Sequence, residues 1–345
     1  MKIAVHFNDN MRLDNFAFRW EEELKKRNII VQKVNLKSYK ALNLIKDCDG
    51  VMWHWTHNPN DKQIAPKILY IIEKYLKIPT YPNHDTYWHY DDKIAQYFLF
   101  EYAQIKKIPT WIFWNYHEAV EFLKNSSYPL VFKLSIGASS ENVIKINNLR
   151  EGLKITNILF KRGVFPPLNK DLKTVKTFVK SIQKTFVTIL KFTYFSFFNL
   201  HYYLPKNFIP QKNYVYFQKF IDNNPYDIRI WIIGNRAFGG IRYNRHNDFR
   251  ASGSGFLDYS PENIPVDAIK TSFRLSNKFN FQTMSYDYLY YNNDILLNEI
   301  SYCYVNSAVK NCPGYWDENL KWHNVSMWPE EAHIIDFLNI IKEIK

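Results

Sequence analysis

Two hydrophobic periods divide this chain of 345 residues. Through the first 82, strand-length apolar runs alternate with stretches whose apolar residues recur every three or four positions. Residues 2–7, 29–36, 50–55 and 78–81 read as strands, the third of them buried. Residues 14–27 read as a helix with Phe16, Trp20 and Leu24 at helical spacing. Residues 63–76 read as another, with Ile64, Ile68, Ile71, Ile72 and Tyr75 on one side. This βαβαβ order predicts a parallel sheet. No Gly-x-Gly-x-x-Gly follows the first strand, so a dinucleotide site is unsupported. Farther on, the pattern predicts helices at 91–105 and 117–124 and strands at 110–114, 129–134 and 142–146, with a small-residue loop over 135–141. From residue 214 the chain turns β-rich, with strands at 214–221, 227–233 and 236–243, a hairpin, and a closing helix at 330–341.

The hairpin is the first feature that hints at chemistry. Asn292-Asn293-Asp294 is turn sequence between two β-forming runs. A turn centred on Asn293 sets Asp287 opposite Glu299, about 5 Å away on one face. Ser301, two residues on, shares that face. Two carboxylates so close repel unless a proton or cation lies between them. Oxygen ligands of this kind suit Mg²⁺. Taken alone, the hairpin reads more readily as a surface turn with two solvated acids.

Composition narrows the class. The length allows two or three domains, and 46% hydrophobic residues is ordinary for a globular protein. No apolar run reaches the roughly 18 residues of a membrane span. The N-terminus opens directly on a strand without signal-peptide anatomy, and the three cysteines form no Cys-x-x-Cys pair. A cytoplasmic protein with reduced thiols is the expectation. The net charge of +12 is concentrated: residues 150–212 carry twelve Lys/Arg against two acids. Nucleic-acid or membrane binding is therefore a question about one segment.

Two lysines stand out. Lys93 opens a helix after Asp91-Asp92, and Lys133 ends the apolar strand Pro129-Leu130-Val131-Phe132. Burying such a charge requires an anionic partner. The loop Ser135-Ile136-Gly137-Ala138-Ser139-Ser140 offers small side chains and free backbone N–H groups for phosphate. Downstream, Arg229, Arg242, Arg245 and Arg250 sit on and beside strands, and arginine forks suit phosphate and carboxylate oxygens.

In this order the pieces resemble the ATP-grasp superfamily, in its branch of RimK-type and glutathione-synthetase-type ligases. They are Asp92-Lys93, Ile108-Pro109-Thr110, Leu130-Val131-Phe132-Lys133, Gln218-Lys219-Phe220-Ile221, Asp227-Ile228-Arg229, Asp248-Phe249-Arg250-Ala251-Ser252, and Asp287 with Glu299-Ile300-Ser301. The resemblance covers roughly residues 84–310, interrupted by the basic segment, and each motif alone is weak. It implies an α/β (α+β) chain: an ATP-grasp fold preceded by a small parallel-sheet, Rossmann-like domain. It divides the chain into a pre-grasp domain at 1–82, a first grasp subdomain at 83–149, a basic, aromatic helical insertion at 150–212 and a second grasp subdomain at 213–345. It implies ATP and Mg²⁺, with Mn²⁺ as a substitute, and amide formation through an acyl-phosphate.

Residue by residue, the resemblance implies that Lys93 and Lys133 contact ATP phosphates, with Lys133 also near the adenine. Lys219 and Phe220 form the adenine hinge, and Asp227 holds the ribose. Arg242 stabilises the acyl-phosphate, while Arg250 and Ser252 reach the phosphates. Asp287, Glu299 and Ser301 hold the metal. No enzyme nucleophile is required, and Cys303 reads as a packing residue. Three departures stand out. Ser301 replaces the usual asparagine and weakens the second metal position. Gly137 is alone where several glycines are common. Lys219 stands where glutamate is frequent. Members with such an insertion resemble proteins of bacterial surface-polysaccharide gene sets, which suggests a sugar acid or glycan precursor as substrate.

Within the insertion, residues 170–191 read as an amphipathic helix. Leu172, Val175, Val179, Ile182, Phe186 and Leu190 fall on one side, and Lys173, Lys176, Lys180, Lys184 and Lys191 on another. Its apolar side either packs on the rest of the protein or, with the aromatic run to residue 204, meets the inner membrane face. Single-stranded nucleic acid ranks lowest. His54, His57 and Trp55, like His84, Trp88 and His89, read either as an acceptor-site lining or as aromatic packing. A non-catalytic nucleotide-binding protein, its metal site decayed at Ser301, remains the alternative to a ligase. For the ligase, Asp287→Ala and Glu299→Ala are each expected to abolish ATP turnover in an ADP-release assay. Unchanged turnover in both removes the metal assignment.

Overall fold

Alternation along the strands and amphipathic spacing along the helices account for most of what folds here. In this computed structural model, residues 1–8, 11, 15–137, 142–164, 210–246, 251, 255–292 and 294–344 are described. The amphipathic stretch 170–204, Arg250 and Ser252 lie outside them. The chain forms two units. One comprises residues 1–90, 98–107 and 223–345, the other 91–97 and 108–222.

The first unit opens on a parallel sheet of order β2-β1-β3-β4, from β1 (Lys2–His6), β2 (Ile30–Val34), β3 (Gly50–Met52) and β4 (Thr80–Tyr81). Helix α1 (Phe16–Lys26) starts where the Asn15 side chain accepts the Ala17 N–H, and it buries Phe16, Ala17, Trp20 and Leu24. Helix α2 (Ala41–Ile45) is short and carries too few residues for a periodic signal. Helix α3 (Pro59–Lys74) is capped by Asn58 with Pro59 in its first turn, and α4 (His84–Tyr87) is a single turn. The third strand is shorter than the expected 50–55: it ends at Met52, and Trp53, His54 and Trp55 continue beyond it into the buried core.

An antiparallel sheet follows in the same unit, of order β13-β12-β9-β10-β14-β15, with β11 also on β10. Its strands are β9 (Tyr226–Ile233), β10 (Arg236–Tyr243), β11 (Leu257–Asp258), β12 (Thr283–Tyr291), β13 (Asp294–Ser301), β14 (Tyr315–Asp317) and β15 (Trp322–His323). One face carries Ile228, Ile230 and Ile232 beside Met284, Tyr286 and Tyr288. It shares a core cluster with Ala268, Ile269, Phe273 and Leu275 of a helix over Val266–Lys278. Ser276 and Ser272 of that helix hydrogen-bond the buried hydroxyls of Tyr286 and Tyr288 at 2.6 and 2.8 Å. The opposite face carries Asp227, Arg229, Trp231 and Ile233 of β9. Its apolar end joins the core of the closing helix, Pro329–Ile344, through Phe337, Leu338 and Ile341. A side chain at Gly50 would stand 2.7 Å from Ile341 and Phe337, so glycine is what lets this helix lie on β3.

The second unit is an antiparallel sheet of order β5-β8-β6-β7, from β5 (Thr110–Phe113), β6 (Leu130–Lys133), β7 (Val143–Ile146) and β8 (Val215–Lys219). Helices α6 (Tyr116–Asn125) and α7 (Leu149–Lys161) cover it, burying Ala119, Leu123, Ile155 and Leu159 with Phe132 and Phe217. At the start of α7, Asn148 accepts the Glu151 N–H while Glu151 accepts the Asn147 N–H, a reciprocal cap. Two features depart from the sequence division. Residues 150–161 of α7, counted with the basic insertion, form part of this core because their apolar stripe is needed there. Strand β8, counted with the last segment, lies between β5 and β6, where its alternate Val215 and Phe217 are buried.

Histidine supplies a pH dependence. In the first unit the Trp20 indole N–H donates to Nδ1 of His333 at 3.2 Å, and the Leu36 N–H donates to Nδ1 of His6 at 3.1 Å. Both rings must therefore stay neutral. Neither ring nitrogen of buried His54 has a hydrogen-bond partner among the described residues, and the ring stacks on Phe16 at 4.1 Å. Burial pushes His54 and His89 down to about 3; burial, aided by Lys37, does the same for His6, and His333 falls well below its ordinary range. The unfolded chain binds these protons from about pH 6.5 downward and the folded chain does not, so acid favours unfolding. Stability is expected to be complete above about pH 6.5 and to fall by about 1.4 kcal/mol per pH unit per histidine toward pH 3. Urea unfolding across this range checks it, and His54→Phe is expected to remove one histidine's share of the slope.

Candidate active site

The charged end of the antiparallel sheet is built by register. Gly240, Arg229, Asp287 and Glu299 form one row across β10, β9, β12 and β13. Arg242 and Asp227 are opposite each other on the next row, and Trp231, Ser285 and Ser301 lie on the row to the other side. Cross-strand partners share a face, so the odd-numbered residues of Asp227-Ile228-Arg229 and Ser285-Tyr286-Asp287 converge while the even-numbered ones enter the apolar core. The Asp287–Glu299 pairing arises differently from a turn centred on Asn293. Tyr291 already pairs with Asp294, which leaves a two-residue turn entered by Asn292 at φ 51°. Tyr288 then pairs with Leu297 and Asp287 with Glu299, so Asn298 is an inserted bulge residue.

Asp287 lies in the grip of two arginines. Arg229 donates through Nε to Oδ1 and through Nη2 to Oδ2, both at 2.6 Å. Nη2 of Arg242 donates to the same Oδ2 at 2.8 Å. Arg242 in turn makes a two-bonded fork on Asp227, with both bonds at 2.6 Å. Burial alone would push Asp287 up, but the two guanidiniums outweigh it and hold the carboxyl down at about 2. For Asp227, burial dominates and the neighbouring Asp287 charge adds to it; against the pull of Arg242, the carboxyl is pushed up. Arg242, its burial outweighed by both carboxylates, is held charged. The Ser301 hydroxyl is engaged locally: it donates to the Cys303 carbonyl at 2.9 Å and accepts the Cys303 N–H at 3.2 Å.

A metal was expected on Asp287, Glu299 and Ser301. As the side chains stand they do not fit one. Three N–H donors occupy the Asp287 oxygens, and Ser301 closes a turn. Among the described residues, no three of His, Cys, Asp and Glu are placed to hold an ion.

The second unit holds the lysine group. Helix α5 (Lys93–Ala103) begins where Asp92 Oδ1 accepts the N–H groups of Ile94 and Ala95 at 3.0 and 3.1 Å. The same oxygen accepts the Ser135 hydroxyl at 2.8 Å. Buried Lys93 donates to the Gly137 carbonyl at 3.0 Å, and Asp91 accepts the Gly137 N–H at 2.7 Å. The start of the small-residue loop is thus fastened to the start of the helix. Lys133 is buried at the end of β6, between Val143 and Tyr216 on its neighbours. The Lys219 N–H donates to the Pro109 carbonyl at 2.9 Å, and the Phe220 ring lies 4.0 Å from Lys145 Nζ.

The sequence reading missed Asp91 as the partner of Gly137 and Arg229 as the partner of Asp287. The second was legible in principle, because Asp227 and Arg229 alternate with isoleucines and so share a face.

No family model and no curated protein sequence matches this chain. Solved structures do. A RimK-domain ATP-grasp protein from Sphaerobacter thermophilus aligns over 98% of this chain and 100% of its own, at 12% identity and TM-score 0.55. The D-alanine–D-alanine ligase of Bacillus anthracis aligns over 100% of both chains, at 14% identity and TM-score 0.59. The biotin carboxylase domain of Hydrogenobacter thermophilus 2-oxoglutarate carboxylase, holding MgADP and bicarbonate, covers 98% of this chain and 69% of its own, at 11% identity and TM-score 0.57. The chain therefore has the ATP-grasp fold.

The four-charge network makes a stability prediction. Asp227→Asn leaves a buried guanidinium short of one carboxylate and is expected to cost about 3–5 kcal/mol. The paired replacement Asp227→Leu with Arg242→Met is expected to cost markedly less in the same urea titration.

Proposed function

We propose that this chain is an ATP-dependent carboxylate–amine ligase. The γ-phosphoryl group of ATP passes to a substrate carboxylate, giving an acyl-phosphate and ADP. An amine then attacks the acyl carbon, phosphate leaves, and the nitrogen loses a proton to give the amide. What carries this reading is the fold match along the full length of both chains in the RimK-domain protein and the D-alanine–D-alanine ligase. The charged row at the end of the antiparallel sheet supports it.

In this reading Arg242, charged and fixed by Asp227, offers a pre-set cation to the acyl-phosphate, so little reorganisation is needed as charge develops. Lys93 and Lys133 contribute positive charge for the phosphates, and Lys219 and Phe220 flank the adenine. Because the Lys219 N–H is already bonded to Pro109, the hinge contact falls to the carbonyls and to neighbouring residues. A cytoplasmic setting, where ATP is abundant, accords with this reading. The carboxylate is a sugar acid or an amino acid joined to a glycan precursor, as the resemblance read from the sequence suggests.

The closure of Asp287 and Ser301 favours the second reading, a protein that binds nucleotide without turning it over. An ADP-release assay with Mg²⁺ separates the two, run over a panel of uronic acids, amino acids and amines with hydroxylamine to trap the acyl-phosphate. The ligase is expected to release ADP and form hydroxamate only when a carboxylate is present, and Arg242→Met is expected to lose both. ATP binding without ADP release over the whole panel favours the second reading, and failure to bind ATP removes both.

A further inference from the structure

The two arginines on Asp287 are not equivalent. Arg242 is held by two carboxylates, Asp227 and Asp287, and its side chain is 9% exposed. Arg229 makes its two short bonds to Asp287 alone and is 20% exposed. Arg242 is therefore the anchored member of the network, and Arg229 is the one whose release costs a single ion pair and gains access to water. Together the guanidiniums balance the charges of Asp227 and Asp287. A divalent cation added at Asp287 with Arg229 in place would meet a like charge within contact range and find no free oxygen on that carboxylate.

We propose that Arg229 is the resting counter-cation of Asp287 and competes there with a divalent cation, so that the metal is admitted only when Arg229 leaves. The inference rests on the ligase reading for the sense of a metal at Asp287, but its test does not depend on turnover. The register sets the two side chains side by side. Arg229 and Asp287 are cross-strand partners, so the fork closes on the carboxylate from a side chain one strand away. Glu299, cross-strand from Asp287 on β13, is the second carboxylate of the row. Arg229 is thus a positioning residue that sets how readily the acidic pair takes a cation.

Binding of Mn²⁺ to the full chain without nucleotide, read from the paramagnetic resonance of the free ion, tests this. The unaltered protein is expected to show no Mn²⁺ site that Asp287→Asn removes. Arg229→Gln is expected to bind Mn²⁺ more than about tenfold tighter, since relief of one like charge at contact distance is worth over 1.4 kcal/mol. Adding Asp287→Asn to that variant is expected to abolish the gain. Should Arg229→Gln fail to fold, Arg229→Met, which keeps the packing of the stem, decides in its place. Equal Mn²⁺ binding by the unaltered and Arg229-substituted proteins, or a gain indifferent to Asp287, overturns the proposal. ATP turnover alongside equal Mn²⁺ binding sinks this inference and leaves the ligase standing. A Mn²⁺ gain in a protein that never binds ATP does the reverse.

Discussion

The face of the antiparallel sheet that bears Asp227, Arg229, Arg242 and Asp287 exists only because its charges are taken from water together. None of the four is tolerable there alone, since an unpaired buried ion costs several kcal/mol. As a set they are neutral and joined by five short hydrogen bonds. Strand register makes this possible, because it delivers two acids and two bases to adjacent rows without a loop having to arrange them. The apolar rows of the same strands supply the packing energy. Ile228, Ile230 and Ile232 are buried on the reverse face, and Trp231 and Ile233 at the far end of the same face. The charged rows contribute specificity of arrangement rather than net stability.

A similar economy governs the lysine group of the second unit. Lys93 is buried, yet it reaches a carbonyl, and Asp91 and Asp92 beside it tie down Gly137 and Ser135. Both groups expected to serve an anionic nucleotide thus have partners within their own unit. Such internal partners keep charged side chains in place, and a ligand must offer more than they do. Affinity at such a site is a difference between two sets of contacts.

Much of this was legible in the chain. The alternation in 227–233 and 236–243 predicted both strands to within one residue, and the βαβαβ order predicted the parallel sheet. The helix over Val266–Lys278 was not, because two of its buried positions are Ser272 and Ser276. Their hydroxyls serve the tyrosines on β12 and dilute the apolar stripe. Strand β8 could not be assigned to its sheet from local sequence, since its partners begin 85 and 105 residues earlier, at Leu130–Lys133 and Thr110–Phe113. The facing of Asp287 and Glu299 was anticipated from a turn one residue longer than the true one. The extra residue turned out to lie within the strand.

That displaced residue has an evolutionary meaning. Asn298 is where two differently registered halves of β13 meet: Leu297 still answers to the turn, while Glu299 answers to the charged row. Loss of any single residue from 294 to 296 would invert the strand between the deletion and Asn298, and loss of Leu297 would draw Asn298 into its buried place. Loss of Asn298 itself would leave every pairing on both sides intact. The hairpin thus has one position at which descendants of this chain can change length without exchanging the inward and outward residues around it.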